Sequence, residues 1–471
     1  MGDLSDPATL ISPEERKTIY IGAFVHSKSL EELDVCEKGA IGVDERGRIV
    51  FIEREDSHVE SAIKKHADWA DAAIVTIKDK GFFFPGFIDT HIHAPQHGNA
   101  GIVSKSTLLD WLNTYTFPLE ASLSDLAKAR RVYTRCVSRT LSHGTTTAAY
   151  YATIDVAATN LLADICLQKG QRAFIGRVCM DSELSPEWYR DESSADTIRK
   201  SKEVVEYVKK VDAGKGIVAP IITPRFAPSC HHDTMCELAK IQKEHDILAQ
   251  THISENTGEI QLVKELFPES RHYADVYDTA GLLNSKMILA HAVHLTEDEK
   301  ILIKKRDAKI AHCPVSNSAL TSGTAPVRDL LNRGITVGLG TDVSGGYSPS
   351  ILEMIRHTIL VSRHRSFEDG EGAKLATEEA LYLATRGGAK VVGLEDRIGG
   401  FEVGMDWDAQ MITLNSVSED GEEGLENPVD VFGWESWEDR IGKWAYNGDD
   451  RNTAAVWVKG RLVHQRKSYG L

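Results

Sequence analysis

Two histidines, one residue apart at the end of an apolar run, are the most chemically loaded feature of this 471-residue chain. The run FFFPGFIDTHIH closes on Asp89-Thr90-His91-Ile92-His93. Side chains alternate along a strand, so His91 and His93 share one face and Ile92 takes the other. Three more apolar runs end on residues of the same kind: His252 in ILAQTHISEN, His291 in MILAHAVHL and Asp342 in ITVGLGTD. Imidazoles and a carboxylate brought together suit Zn²⁺ with one position left open for water. Any one of these histidines alone is better read as a satisfied core or surface residue. Four histidines and an aspartate, each at a strand end, point to a metal site. The chain has no H-E-x-x-H and no P-C-x-x-C, so other zinc signatures do not compete.

Something must gather those strand ends. From about Phe83 to Leu394, eight strand-like runs recur, each followed by a helical pattern: FFFPGFIDTHIH, TTTAAYY, RAFIGRVCMD, IVAPIITPRF, ILAQTHISEN, MILAHAVHL, KIAHCPVSN and ITVGLGTD. Amphipathic stretches such as DLAKARRVYTRCVSRTLSH and DTIRKSKEVVEYVKKV lie between them. Strand alternating with helix implies parallel strands. Eight such units imply an α/β fold, a closed (β/α)8 TIM-like barrel whose active site lies at the C-terminal strand ends. A doubly wound open sheet is the second choice. No G-x-G-x-x-G or G-x-x-x-x-G-K-[ST] follows any strand, so nucleotide-phosphate binding has no support. Residues 1–80 and 395–471 read as short strands with glycine turns. They predict a small β-sandwich module built from both chain ends, around a barrel of residues 81–394.

Composition narrows the function further. Hydrophobic residues make up 42% and charged residues 26%, ample for a large core. Lysine and arginine number 54 against 70 acidic residues, leaving a net charge of −16. That sign disfavours a nucleic-acid partner and an anionic membrane. Seven cysteines, none in C-x-x-C spacing, fit a reducing compartment better than a disulfide framework. The opening MGDLSDPATLISPEERK lacks a secretory pattern, no run approaches the ~18 apolar residues of a membrane span, and the tail SYGL is not S-K-L. A cytoplasmic protein is the expectation. The acidic run 416–440 reads as a solvated surface insertion.

Other histidines and thiols weigh less. His97 follows the first strand and suits a loop or pocket rim, His143 precedes the second strand, and His231-His232 follow the fourth. His312 fits the barrel mouth and simple packing alike. Cys230 and Cys313 read as buried thiols.

PGFIDTHIHAPQ, THISEN, LAHAVHL, AHCPVSN and LGTDVSGG together resemble the strand motifs of the amidohydrolase superfamily, over the whole barrel. NTYTFPLE, HGTTTAAYYATI, GQRAFIGRVCMD, TPRFAPSC and GDDRN are similar to its guanine-deaminating members. The resemblance implies one zinc per chain, held by His91, His93, His252 and Asp342. It implies Glu255 as proton shuttle and His291 as the group assisting the attacking water. Gln96, Arg225 and Phe226 match purine-recognition positions, with His93 and His252 also against the substrate. His97-Gly98 departs from the pattern, where an aromatic residue is expected after the glutamine. A binuclear site would place a bridging lysine at the end of the fourth strand; IITPRF has none, so a single metal is favoured.

The implied reaction is hydrolytic deamination. Zinc-bound hydroxide would attack C2 of guanine, Asp342 and His291 activating the water and Glu255 protonating the ring. Arg225 would donate to the 6-oxo group, and a ring lacking that acceptor would leave it unpaired. Phe226 stacking on the base and Phe226 in the core are equal readings, as are Trp111 capping the pocket and Trp111 packing a helix. A homodimer is implied by the family alone. The competing readings are a related enzyme for another aminated or halogenated heterocycle, a non-catalytic scaffold, and a purine sensor that binds without turnover.

Overall fold

The computed structural model describes residues 16–54, 59–77, 80–102, 108–421, 425–467 and 469–470. The first fifteen residues and two of the four in the SYGL tail, both read above for targeting signals, lie outside them. The chain divides into two units: Met1–Lys28, Leu33–Gly86 and Asp396–Leu471 in one, Ser29–Glu32 and Phe87–Glu395 in the other.

In the first unit, strands from both chain ends join in one eight-stranded sheet. Thr18–Ser27 is its hub, antiparallel to Leu33–Val43 and parallel to Ala73–Thr76 and Phe82–Pro85. Ala409–Ile412 then pairs with Phe82–Pro85 and with Thr453–Val458. Aromatic rings fill the core: Tyr20 lies 4.4 Å from Trp407 and 5.6 Å from Phe83, centroid to centroid. Such pairs are stabilised beyond their buried area.

The second unit is the barrel. Its strands are β1 (Phe87–His93), β2 (Thr145–Tyr151), β3 (Arg172–Gly176), β4 (Val218–Pro224), β5 (Leu248–Ile253), β6 (Met287–His291), β7 (Lys309–His312) and β8 (Val337–Leu339). They pair in sequence order, and every pairing is parallel. The expected barrel is therefore present. Every residue of β1 and β2 is buried, so neither strand has a solvent-facing side. β8 returns to β1 through Thr90 Oγ1, which donates to the Leu339 carbonyl at 2.8 Å. The Asp342 amide donates to the His91 carbonyl at 2.9 Å. The backbone can come this close because Gly340 lacks a side chain: a Cβ there would lie 2.8 Å from that of His91. Helices between strands start where the sequence supplies caps. Asp125 accepts from the Ala127 and Lys128 amides to open Leu126–Ser142, and Ser193 opens Ser194–Asp212.

Two details differ from the sequence reading. FFFPGFIDTHIH is not one strand: Phe82–Pro85 belongs to the end module and Phe87–His93 to the barrel, with Gly86 between them. Nor is the acidic run 416–440 solvated throughout. Ser416 pairs with Val431, and Glu435 is buried, accepting from the Phe432 and Gly433 amides at 3.0 Å and from Lys443. Those charge-assisted bonds offset the cost of burying the carboxylate. Residues 422–424 lie outside the described set. All seven cysteines are free. No described helix is long and apolar enough to cross a membrane.

Candidate active site

The C-terminal ends of β1, β5 and β6 and the loop after β8 bring His91, His93, His252, His291 and Asp342 together. Asp342 Oδ1 lies 3.1 Å from His91 Nε2 and 3.3 Å from His93 Nε2. His93 Nε2 and His252 Nε2 are 3.2 Å apart. Ligand atoms of His91, His93, His252 and Asp342 all lie within 4.8 Å of one another.

This cluster fits a cation. The Arg225 carbonyl, 2.6 Å away, can only accept, so His252 Nδ1 carries the proton and Nε2 turns its lone pair to the centre. Burial holds the His93 and His252 rings well below the usual imidazole pKa, so both are neutral. Neutral acceptor nitrogens and a carboxylate packed this tightly are the donor set a zinc-like ion balances. The backbone supporting them is strained. Ser254, His291, Ala292 and Asp342 all have positive φ, between 47° and 72°, where side chains crowd the main chain.

Beside the cluster stands Glu255. Burial pushes its carboxyl up to about 7, against the neighbouring His291 and a bond from Ser322. Ser322 Oγ donates to Oε1 at 2.9 Å, and Oε2 lies 3.5 Å from His291 Nε2. His291 is held from behind by Asn317 Oδ1, 2.8 Å from Nδ1, which leaves Nε2 facing Glu255 and Asp342. Glu259 accepts from the Glu255 amide at 2.9 Å and so fixes the turn that carries it. Under the cluster, Asp89 accepts from the Thr341 amide at 3.0 Å, Thr341 Oγ1 at 2.5 Å and the His91 amide at 3.2 Å.

A cavity opens over these groups. His93, His252, Glu255, His291 and Asp342 form its floor; Gln96, Arg225, Phe226, Trp111, Leu108, Leu112 and Leu320 wall it. Every residue assigned to the site from the sequence, except His91, lines this one space, and His91 adjoins it through Asp342. Phe226 and Trp111 each do both of the things expected of them, lining the cavity and packing in one apolar cluster with Phe117 and Tyr189. His97 and His231 are not in the lining. His312 is buried with neither ring nitrogen bonded, and Cys313 is a buried thiol pushed well up by burial.

One residue the sequence reading missed stands behind the wall, bonded to Arg225 and Gln96. Glu120, buried on the helix Phe117–Ser122, accepts from Arg225 Nη1 at 2.7 Å and Nη2 at 3.2 Å. It also accepts from Gln96 Nε2 at 2.9 Å and the Tyr189 hydroxyl at 2.7 Å. Arg225 is thus already paired, correcting the expectation that a misfit ring leaves it without a partner; only its remaining N–H groups would go unbonded. A lone acid in the apolar string TFPLE was the available signal.

Residues 82–463 match the model of the amidohydrolase family. The probable guanine deaminase of Schizosaccharomyces pombe is 48% identical over 94% of this chain and 83% of its own length. The human guanine deaminase is 40% identical over 94% of this chain and 96% of its own. The crystal structure of guanine deaminase from C. acetobutylicum with bound guanine superposes with a TM-score of 0.85, at 32% identity, over 95% of this chain and all of that one.

Proposed function

The chain belongs to the amidohydrolase family, and on that premise we propose that it hydrolyses guanine to xanthine and ammonia. The observation that carries this reading is one cavity with an acceptor cluster at its floor and the Arg225 and Gln96 donors in its wall. The guanine deaminases it is similar to support the substrate.

His91, His93, His252 and Asp342 would hold one zinc ion, which supplies Lewis acidity and makes water nucleophilic near neutral pH. The protein's own groups do the rest. His291 Nε2 orients the attacking water, and Asp342 Oδ2, 3.8 Å from that nitrogen, takes its proton. Attack on C2 drives the C2=N3 electrons onto N3. Glu255, half protonated near neutrality because its pKa is about 7, gives N3 a proton. The C–N bond then breaks. The amino group leaves as ammonia with the proton Asp342 had taken, Glu255 recovers one from the C2 hydroxyl, and the ring is left with a 2-oxo group. Arg225 donates its remaining N–H groups to the 6-oxo oxygen, Gln96 meets the ring edge, and Phe226 and Trp111 cover its faces.

Separate incubations with guanine, adenine and cytosine test this. Ammonia from guanine alone supports it; ammonia from either control but not from guanine sinks it. The same reading takes the chain to be a cytosolic homodimer, checked by sedimentation and by cell fractionation.

A further inference from the structure

Glu120 is fully inside the protein, yet touches none of the groups assigned a chemical step. Four donor groups converge on its two oxygens: two from Arg225, one from Gln96 and one from Tyr189. Both oxygens act only as acceptors, the pattern of an ionised carboxylate. Its partners are the two polar side chains that would read the purine, plus a tyrosine that closes the back. The Phe117 ring on the same helix lies 5.0 Å from the Arg225 guanidinium carbon. Arg225 is therefore held in one plane and matched by one negative charge within hydrogen-bond distance.

The consequence concerns product more than substrate. Replacing the 2-amino group of guanine by a second ring carbonyl makes a neighbouring N–H more acidic, so xanthine gives up a proton more readily than guanine does. A buried guanidinium without a counter-charge would bind such an anion strongly. On the guanine-deaminase reading, we infer that Glu120 is the charge-balancing and positioning residue of the pocket: it neutralises Arg225, so the site favours neutral purines and releases its acidic product.

The test compares xanthine with hypoxanthine as inhibitors of guanine turnover. Both carry the 6-oxo group; hypoxanthine lacks the second carbonyl and stays neutral. The readout is the ratio of their inhibition constants, xanthine over hypoxanthine, in wild type, Glu120→Gln and Arg225→Gln, with metal content measured in each. An opposite charge close by shifts an acid by one to three pKa units, so the ratio is expected to fall on the order of tenfold in Glu120→Gln. In Arg225→Gln, which leaves Glu120 unbalanced, it should rise. The two shifts have opposite sign, so each variant decides the matter if the other does not fold. A ratio unchanged from wild type, with guanine KM raised, overturns the inference and leaves Glu120 a purely structural role. If wild type does not turn over guanine, the deaminase reading falls separately, and the same ratio from calorimetric titration still judges Glu120.

Discussion

Ser322 controls Glu255 through a single contact, and its replacement by alanine should be visible in a pH profile. Its hydroxyl donates to Glu255 Oε1 at 2.9 Å, and both residues are buried. That bond favours the charged carboxylate and therefore lowers the Glu255 pKa; burial, the larger effect, raises it to about 7. Hydrogen bonds to charged groups contribute about 1.5–3 kcal/mol, and about 1.4 kcal/mol corresponds to one pKa unit. Removing the hydroxyl should thus raise the pKa by about one to two units. In the proposed mechanism protonated Glu255 is the proton donor, so kcat/KM should decline as pH rises through its pKa. In Ser322→Ala the decline should begin at least about one unit later than in wild type. The assay is initial-rate guanine turnover from mildly acid to alkaline pH, with metal content checked in both proteins. A decline that keeps its position or moves to lower pH, with metal retained, would refute the assignment of Glu255 as the acid.

Asn317→Ala removes the acceptor behind His291 Nδ1 and should lower kcat on the order of tenfold to a hundredfold, with guanine KM and metal content nearly unchanged. His93→Asn takes one nitrogen from the cluster; metal analysis after dialysis should find well under one ion per chain, and turnover should vanish. Asp89→Asn confronts the Thr341 and His91 amides with an amide in place of a carboxylate. The loss of about 1–3 kcal/mol should lower the thermal midpoint by several degrees in a scanning melt, while an unchanged midpoint would mean those bonds contribute nothing net.

The barrel and its histidine–aspartate cluster were legible because both are local patterns repeated along the chain. A polar residue closing an apolar strand is visible in ten residues, and four such endings, carrying five residues, converge once parallel strands are assumed. Gly86 was less legible: apolar residues on both sides of it hide the passage from one sheet to another, since a fully buried strand has no alternation to lose. The hardest case was Glu120. Its partners lie 24, 69 and 105 residues away in sequence, on the turn after β1, a turn beyond β3 and the end of β4. Only the closed barrel brings them together. Ser322 and Asn317 escaped notice for the same reason: each is an ordinary polar residue until the fold aims it at Glu255 or His291.

The most direct measurement is guanine turnover by metal-analysed wild type beside Glu255→Gln, with xanthine and ammonia both quantified. The expected result is equal amounts of the two products, about one zinc per chain in both proteins, and no turnover by the variant. Xanthine formed at wild-type rate by Glu255→Gln, or metal-loaded wild type that leaves guanine intact, would contradict the mechanism at its centre.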